Sequence, residues 1–131
     1  MERVARPVSG IRIRCGAIAF EVALDATPTA QALLDALPFE ATAQTWGEEV
    51  YFEAPLSADL EPGARQVVEP GTVCFWVEGS SLALPYGRTP ISGKDGKPRL
   101  VTKCNVLGRV LGDARVLANV KHGDKVRVEA A

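Results

Sequence analysis

From Ile11 to Arg14 apolar and charged residues alternate strictly, the period-two signature of a strand with one buried face. Cys15-Gly16 supplies a tight turn, and Ala17 to Leu24 reads as the returning strand, with Ile18, Phe20, Val22 and Leu24 on one face. The period then changes. Thr27 is a good N-cap, and Pro28 suits the first helical position, where its missing N–H costs nothing. Leu33, Leu34 and Leu37 form a short apolar stripe, and Pro38 stops the helix because its ring blocks further helical hydrogen bonding. A helix of about ten residues is too short to stand alone, so it must pack on a sheet, plugging a barrel end.

Phe39 to Trp46 and Glu48 to Ala54 read as two more strands joined at Gly47. A polar connection with three prolines, Pro55 to Gly71, leads to Thr72 to Val77, a nearly continuous apolar run. Glu78-Gly79-Ser80 is a turn. Leu82, Leu84 and Tyr86 share a face of the next strand, where Pro85 marks an edge or a bulge because it cannot donate to a ladder. After a glycine- and lysine-rich loop, Ile91 to Leu100, the segment Val101 to Leu111 is strand-like, with Gly108 as a bulge position. Asp113 caps a second short helix through Val120 that turns Val116, Leu117 and Val120 inward. His122-Gly123-Asp124 is a turn, and Lys125 to Glu129 alternates as the last strand.

About eight strands and one or two short helices result, mostly joined by close turns. Strands do not alternate regularly with helices, so a parallel α/β sheet is disfavoured. The expected fold is mainly β, a closed antiparallel eight-stranded barrel, since closure removes the edges of many short strands. Residues 1–10 read as an amino-terminal arm and 11–131 as the barrel domain.

Composition narrows the partners. Lys plus Arg number 15 and Asp plus Glu 16, and a net charge of −1 argues against a phosphate-backbone binder. The densest basic stretch, Lys94, Lys97, Arg99 and Lys103, reads as a solvated loop. No segment approaches the roughly 20 apolar residues of a membrane-spanning helix, and Met1 to Ile11 lacks the apolar run of a signal peptide. Cys15, Cys74 and Cys104 are odd in number and form no CxxC pair, which fits a reduced, cytoplasmic chain with structural thiols. One histidine, His122, excludes a multi-histidine metal site. No P-loop, dinucleotide glycine fingerprint, nucleophile elbow or H-E-x-x-H pattern occurs, so no cofactor, metal or catalytic residue is assigned.

Two segments taken together resemble a known family. One is Gln44-Thr45-Trp46-Gly47-Glu48-Glu49-Val50-Tyr51-Phe52. The other runs from Val67-Val68-Glu69-Pro70-Gly71 through Trp76 and Tyr86-Gly87-Arg88-Thr89-Pro90-Ile91-Ser92 to Asn105-Val106-Leu107-Gly108-Arg109-Val110. Their order and spacing resemble a family of small bacterial and archaeal proteins with a cyclophilin-like fold and no assigned function. The resemblance implies an eight-stranded barrel with a helix at an end and supplies no established substrate. Val77-Glu78-Gly79 stands where the family tends to have a proline-glycine turn, and Pro85 where it tends to carry bulky apolar residues, so the neighbouring groove differs in shape. Cyclophilins catalyse prolyl isomerisation with an arginine in a Phe-His-Arg strand, followed by a Phe-Met-Gln-Gly-Gly stretch. Neither is present here, and a fold alone does not transfer an activity.

The residues most able to carry a function gather around Trp46. With period two, Trp46, Glu48, Val50 and Phe52 point one way, and a carboxylate on such a face needs a partner or its pKa rises. Glu48 then anchors a ligand or acts as an acid/base; alternatively Gly47 permits a bulge that turns it outward, or an arginine satisfies it structurally. Tyr51, in the opposite phase, faces solvent or a cleft. Trp76 and Tyr86 are core residues or the walls of a ligand cleft. Arg88, next to Thr89, holds a ligand carboxylate or pairs with a surface acid. Asn105, inside an apolar run, must satisfy its amide through backbone or ligand. The expectation is a binding domain for a small molecule or short peptide, with a cleft of Trp46, Glu48, Trp76, Tyr86, Arg88, Thr89 and Asn105. The alternatives are an enzyme using Glu48 as acid/base, an unconventional prolyl isomerase, or an interaction module acting through the barrel surface.

Overall fold

Strict alternation sends Ile11, Ile13 and Cys15 of strand β1 (Gly10–Cys15) into the interior, while Arg12 and Arg14 stay outside. The computed structural model describes residues 10–131. The expected arm lies outside the described residues apart from Gly10, which opens β1. Strand β2 (Ile18–Leu24) returns antiparallel across the turn, with Ile13 opposite Phe20. Helix α1 (Pro28–Ala36) begins as its sequence dictates, with the Thr27 hydroxyl accepting the Ala30 N–H at 3.1 Å. It buries Thr29, Ala30 and Leu33, and Leu33 joins the main core.

The remaining strands are β3 (Phe39–Thr42), β4 (Gln44–Thr45), β5 (Glu49–Glu53), β6 (Arg65–Val67), β7 (Thr72–Trp76), β8 (Ser81–Pro85), β9 (Arg99–Val110) and β10 (Lys125–Ala130). Nine of the ten strands among the described residues follow one hydrogen-bonded path, β3-β10-β1-β2-β9-β7-β8-β5-β4. The two ends of that path, β3 and β4, are consecutive in the chain and separated only by Ala43. The sheet thus returns on itself as a nearly closed barrel with one seam, and the mainly β, barrel-type fold expected from the sequence is what the chain adopts.

The count of eight strands changes for two reasons. The segment read as one strand, Phe39 to Trp46, divides at Ala43, whose N–H bonds Asp124 and whose carbonyl accepts from Gly123, both at 2.8 Å. Its first half pairs with β10 and its second with β5. The polar connection after Pro55 also holds a short strand, β6, laid on β9. Pro85 sits neither at an edge nor in a bulge. It is the last residue of β8, a strand between β5 and β7, and its carbonyl accepts the Gly71 N–H at 2.9 Å. A missing donor is tolerated where the ladder ends.

Gly108 behaves as its sequence suggests. The register between β7 and β9 shifts there, Val73 facing Gly108 and Cys74 facing Val106, so Leu107 is the extra residue. A Cβ on Gly108 would lie 1.9 Å from the Ala23 carbonyl oxygen, so only glycine lets β2 come this close. The second short helix is a 3₁₀ turn, Ala114–Asn119, capped by the Asp113 side chain on the Arg115 N–H. It buries Leu117 fully and Val120 nearly so, while Val116 packs at the margin of the core.

Phe52, Phe75, Leu82, Leu84 and Leu107 fill the barrel with no exposed surface. Each such burial contributes roughly 1.5–3 kcal/mol. Lys94, Lys97, Arg99 and Lys103 are all exposed, and Lys97 pairs with Glu69 at 3.0 Å. Among the described residues no helix is long and apolar enough to cross a membrane.

Candidate functional site

Strands β5, β8, β7 and β9 bury both of their faces. Val50, Phe52, Val73, Phe75, Leu82 and Leu84 point into the barrel. The opposite phase carries Tyr51, Ala83, Cys74, Trp76 and Cys104, which form a second apolar cluster with Val68 and Leu100 on the outside of the wall. This outer cluster is covered because β6 lies alongside the first half of β9. Val68 N–H bonds the Pro98 carbonyl at 3.1 Å, and the Gln66 amide bonds the Leu100 carbonyl at 3.0 Å.

The cover is incomplete. A hollow of about 180 Å³ remains, lined by Trp46, Glu49, Tyr51, Trp76, Ala83, Leu100, Val101 and Cys104. Seven of these eight side chains are apolar or aromatic, and the eighth is a carboxyl. Glu49 is only 6% exposed, and its Oε1 has no hydrogen-bond partner among the described residues. Burial raises its pKa from 4.5 to about 7, because an ionised carboxylate loses its water in this wall.

The position of Glu49 follows from the turn before it. Trp46 donates its N–H to the Glu49 carbonyl at 3.0 Å, closing a hairpin whose two connecting residues are Gly47 and Glu48. Gly47 has φ +59, and its missing side chain leaves room for Pro90 and the Arg88 carbonyl. Residues directly opposite in an antiparallel pair point to the same face. Gln44 faces Tyr51 and Thr45 faces Val50, so Trp46 and Glu49 share the outer face. The Tyr51 hydroxyl donates to Gln44 Oε1 at 3.2 Å. Across the hollow, the Trp76 ring lies against Gly79, where an added Cβ would come within 2.3 Å of its Cε3 and Cζ3 atoms.

Two thiols belong to this wall. Burial pushes Cys104 up to about 12, with the charges of Glu49 and then Glu78 adding to it. Cys74 is raised as well, by burial first and then by Cys104 and Glu49. Both are therefore neutral thiols, poor nucleophiles and poor metal ligands.

Of the seven residues singled out in the sequence, the structure places only Trp46 and Trp76 in the hollow, while Glu48, Tyr86 and Arg88 meet one another outside it. Glu48 does not share a face with Val50 and Phe52. It is exposed, and its Oε1 accepts the Arg88 N–H at 2.9 Å, while its backbone exchanges bonds with Tyr86 and Arg88. It clips the hairpin to the chain after β8. Tyr86 lines a different recess with Gly71, Arg109 and Asp113. Arg88 is exposed and donates to the Gly93 carbonyl at 3.2 Å. Thr89 is buried, with its hydroxyl on the Arg99 carbonyl at 2.6 Å. Asn105 is fully buried and fully engaged. It accepts from Glu61 N–H at 2.8 Å and donates to Thr29 Oγ1 and to the Asp59 carbonyl, each at 2.9 Å.

Period-two counting missed Glu49 because it ran unbroken through a turn. Across a two-residue hairpin the paired positions differ by three, so Trp46 is matched with Glu49 and not with Glu48. The glycine after Trp46 was the available signal. Tyr51 belongs to the hollow for the same reason. Among the described residues no group of three or more His, Cys, Asp or Glu is placed to hold a metal ion.

A family model described as cyclophilin-like matches residues 9–129. The solution structure of a hypothetical protein from Archaeoglobus fulgidus is similar to this chain over 96% of its length and 98% of the other, with 36% identity and a TM-score of 0.80. No curated protein matches the chain.

Proposed function

The chain belongs to the cyclophilin-like family, and from that premise we propose that it is a binding domain whose outer-wall hollow takes a small molecule or the side chain of a short peptide. One observation carries this reading. Glu49 lines a hollow flanked by two indoles and a phenol, and its buried Oε1 has no partner among the described residues. A buried acceptor left unsatisfied costs roughly 1–3 kcal/mol, a penalty that a donor on a bound ligand would remove. Concave, mostly apolar sites with one placed polar group are the usual form of small-molecule pockets.

The same lining argues against prolyl isomerisation of the usual kind. None of the eight side chains is a guanidinium, and Arg88 is held on the Gly93 carbonyl. An Ala-Pro peptide should exchange between cis and trans at its uncatalysed rate in the presence of the protein. Three free, buried cysteines support a reducing, cytoplasmic setting.

Butan-1-ol and N-acetylprolinamide serve as neutral probes of the hollow. At least one of them should shift the indole N–H resonances of Trp46 and Trp76 together and saturably. The Asn105 side-chain amide should not move. Shifts that spread evenly over the surface, or that centre on Tyr86, would remove the hollow from consideration.

A second reading has its own observation. Burial holds the Glu49 carboxyl near neutrality, the range that suits a general acid/base. The enzyme alternative therefore moves from Glu48 to Glu49. Turnover by this route would break near pH 7 and vanish in Glu49→Gln with probe binding intact; turnover unchanged in that variant would exclude it.

A further inference from the structure

We propose that the hollow selects organic ammonium ions, the ammonium nitrogen donating an N–H to Glu49 Oε1 among the rings of Trp46, Tyr51 and Trp76. The inference rests on the binding reading above and names the chemical class of its ligand.

Charge complementarity is the first ground. The one carboxyl lining the hollow is 6% exposed, and its Oε1 has no hydrogen-bond partner among the described residues. The titratable groups of the surrounding wall are the Cys74 and Cys104 thiols on β7 and β9 and the Tyr51 phenol on β5 itself. None of these is a cation, and Arg65, opposite Cys104 on β6, is exposed and does not line the hollow. Glu78, whose charge reaches Cys104, adds further negative potential. An anionic ligand would meet the negative charges of Glu49 and Glu78, whereas an ammonium ion would supply the counter-charge that the buried Glu49 carboxylate lacks.

The rings are the second ground. Aromatic faces carry negative quadrupole charge, and several of them around one carboxylate make a setting in which a cation is stabilised from all sides. A neutral amide or alcohol could fill the same donor position, but it would leave the carboxylate charge in an apolar wall.

Size sets the limit. About 180 Å³ is the room of roughly six water molecules, which suits a small alkylammonium head group and not a large ligand. Protons follow the ion. Without a ligand Glu49 is partly protonated near pH 7, and a bound ammonium favours the carboxylate, so binding releases that proton to solvent.

The test compares n-butylammonium chloride with butan-1-ol, with sodium chloride matching ionic strength, on the full chain and on Glu49→Gln. The readout is the indole N–H resonances of Trp46 and Trp76. Butylammonium should bind at least about tenfold more tightly than butan-1-ol at pH 8. Its affinity should rise about tenfold from pH 6 to pH 8, as the competent, ionised fraction of a carboxyl with a pKa near 7 rises. In Glu49→Gln the preference and the pH dependence should both vanish while butan-1-ol still binds. Equal affinities for the two probes, or a preference that survives in Glu49→Gln, would overturn the proposal. Binding of butan-1-ol alone would sink the ammonium assignment and leave the pocket standing; binding of neither would remove both.

Discussion

Trp46 and Glu49 face each other across the hairpin at Gly47-Glu48, tied by a hydrogen bond of 3.0 Å from the Trp46 N–H to the Glu49 carbonyl. Their side chains thereby stand on the outer wall of the barrel, at the mouth of the same hollow.

Stability should depend on pH through Glu49. Its carboxyl is held at about 7 in the folded chain against 4.5 in the absence of burial. Below pH 4.5 it is neutral in both the folded and unfolded states and carries no penalty. As pH rises through 7 it must ionise inside an apolar wall, and that part of the stability is lost. At roughly 1.4 kcal/mol per pKa unit the loss is about 3 kcal/mol. Urea unfolding at pH 4 and pH 8 should show wild type losing about this much relative to Glu49→Gln. Parallel pH profiles for the two proteins would show that the carboxyl ionises without hindrance.

Asn105→Ala should destabilise the fold by about 2–4 kcal/mol, because it strands the Glu61 N–H and the Asp59 carbonyl in addition to losing the Thr29 contact. Hydrogen exchange at the Glu61 amide should accelerate with it. Probe binding at the hollow should not change in protein that remains folded, and a large loss of binding there would give Asn105 a place in the site after all.

Gly79→Ala should act on the site more than on the fold. The new methyl group collides with the Trp76 ring and must push it from its place. Binding of butan-1-ol or butylammonium should weaken about tenfold, roughly 1.4 kcal/mol. A crystal structure of the variant with Trp76 unmoved would contradict this.

Gly108→Ala should cost more than about 2 kcal/mol, since a Cβ 1.9 Å from the Ala23 carbonyl forces β2 and β9 apart. Glu48→Ala, by contrast, removes one hydrogen bond to an exposed backbone N–H and should cost about 1 kcal/mol. Thermal unfolding of both variants gives the comparison, and equal midpoints would contradict the ranking.

The thiols offer a separate check. Cys15, Cys74 and Cys104 are buried, and burial raises all three, Cys15 and Cys104 to about 12. None should react with Ellman's reagent at pH 8 in folded protein, and all three should react in denaturant. A fast-reacting equivalent in the native state would mean that the wall opens.

Much of the barrel could be read directly from the chain. Alternation in Ile11–Arg14 and Lys125–Glu129, the Thr27-Pro28 cap and the bulge at Gly108 are local signals, and local signals survive folding when the sheet agrees with them. The site was less legible. Whether a strand residue faces the core or the outer wall depends on the pairing phase, and a two-residue turn resets that phase. This is why Glu49 and Tyr51 lie in the hollow and Glu48 does not. Leu100 and Val101 enter it because the first half of β9 pairs with β6, a long-range contact that no short window records. For Asn105 the choice between backbone and ligand stays open in the sequence because its partners, Thr29, Asp59 and Glu61, are far away along the chain.

Because β5, β7 and β8 bury one apolar set inside and another outside, the two sets can drift independently. Val50, Phe52, Phe75 and Leu82 hold the cylinder together, while Glu49, Tyr51, Trp76 and Ala83 hang on its exterior in the alternate phase. Exchanging members of the exterior set leaves the interior jigsaw untouched. A lineage built on this scaffold could thus acquire new ligand preferences by single substitutions, without passing through misfolded ancestors.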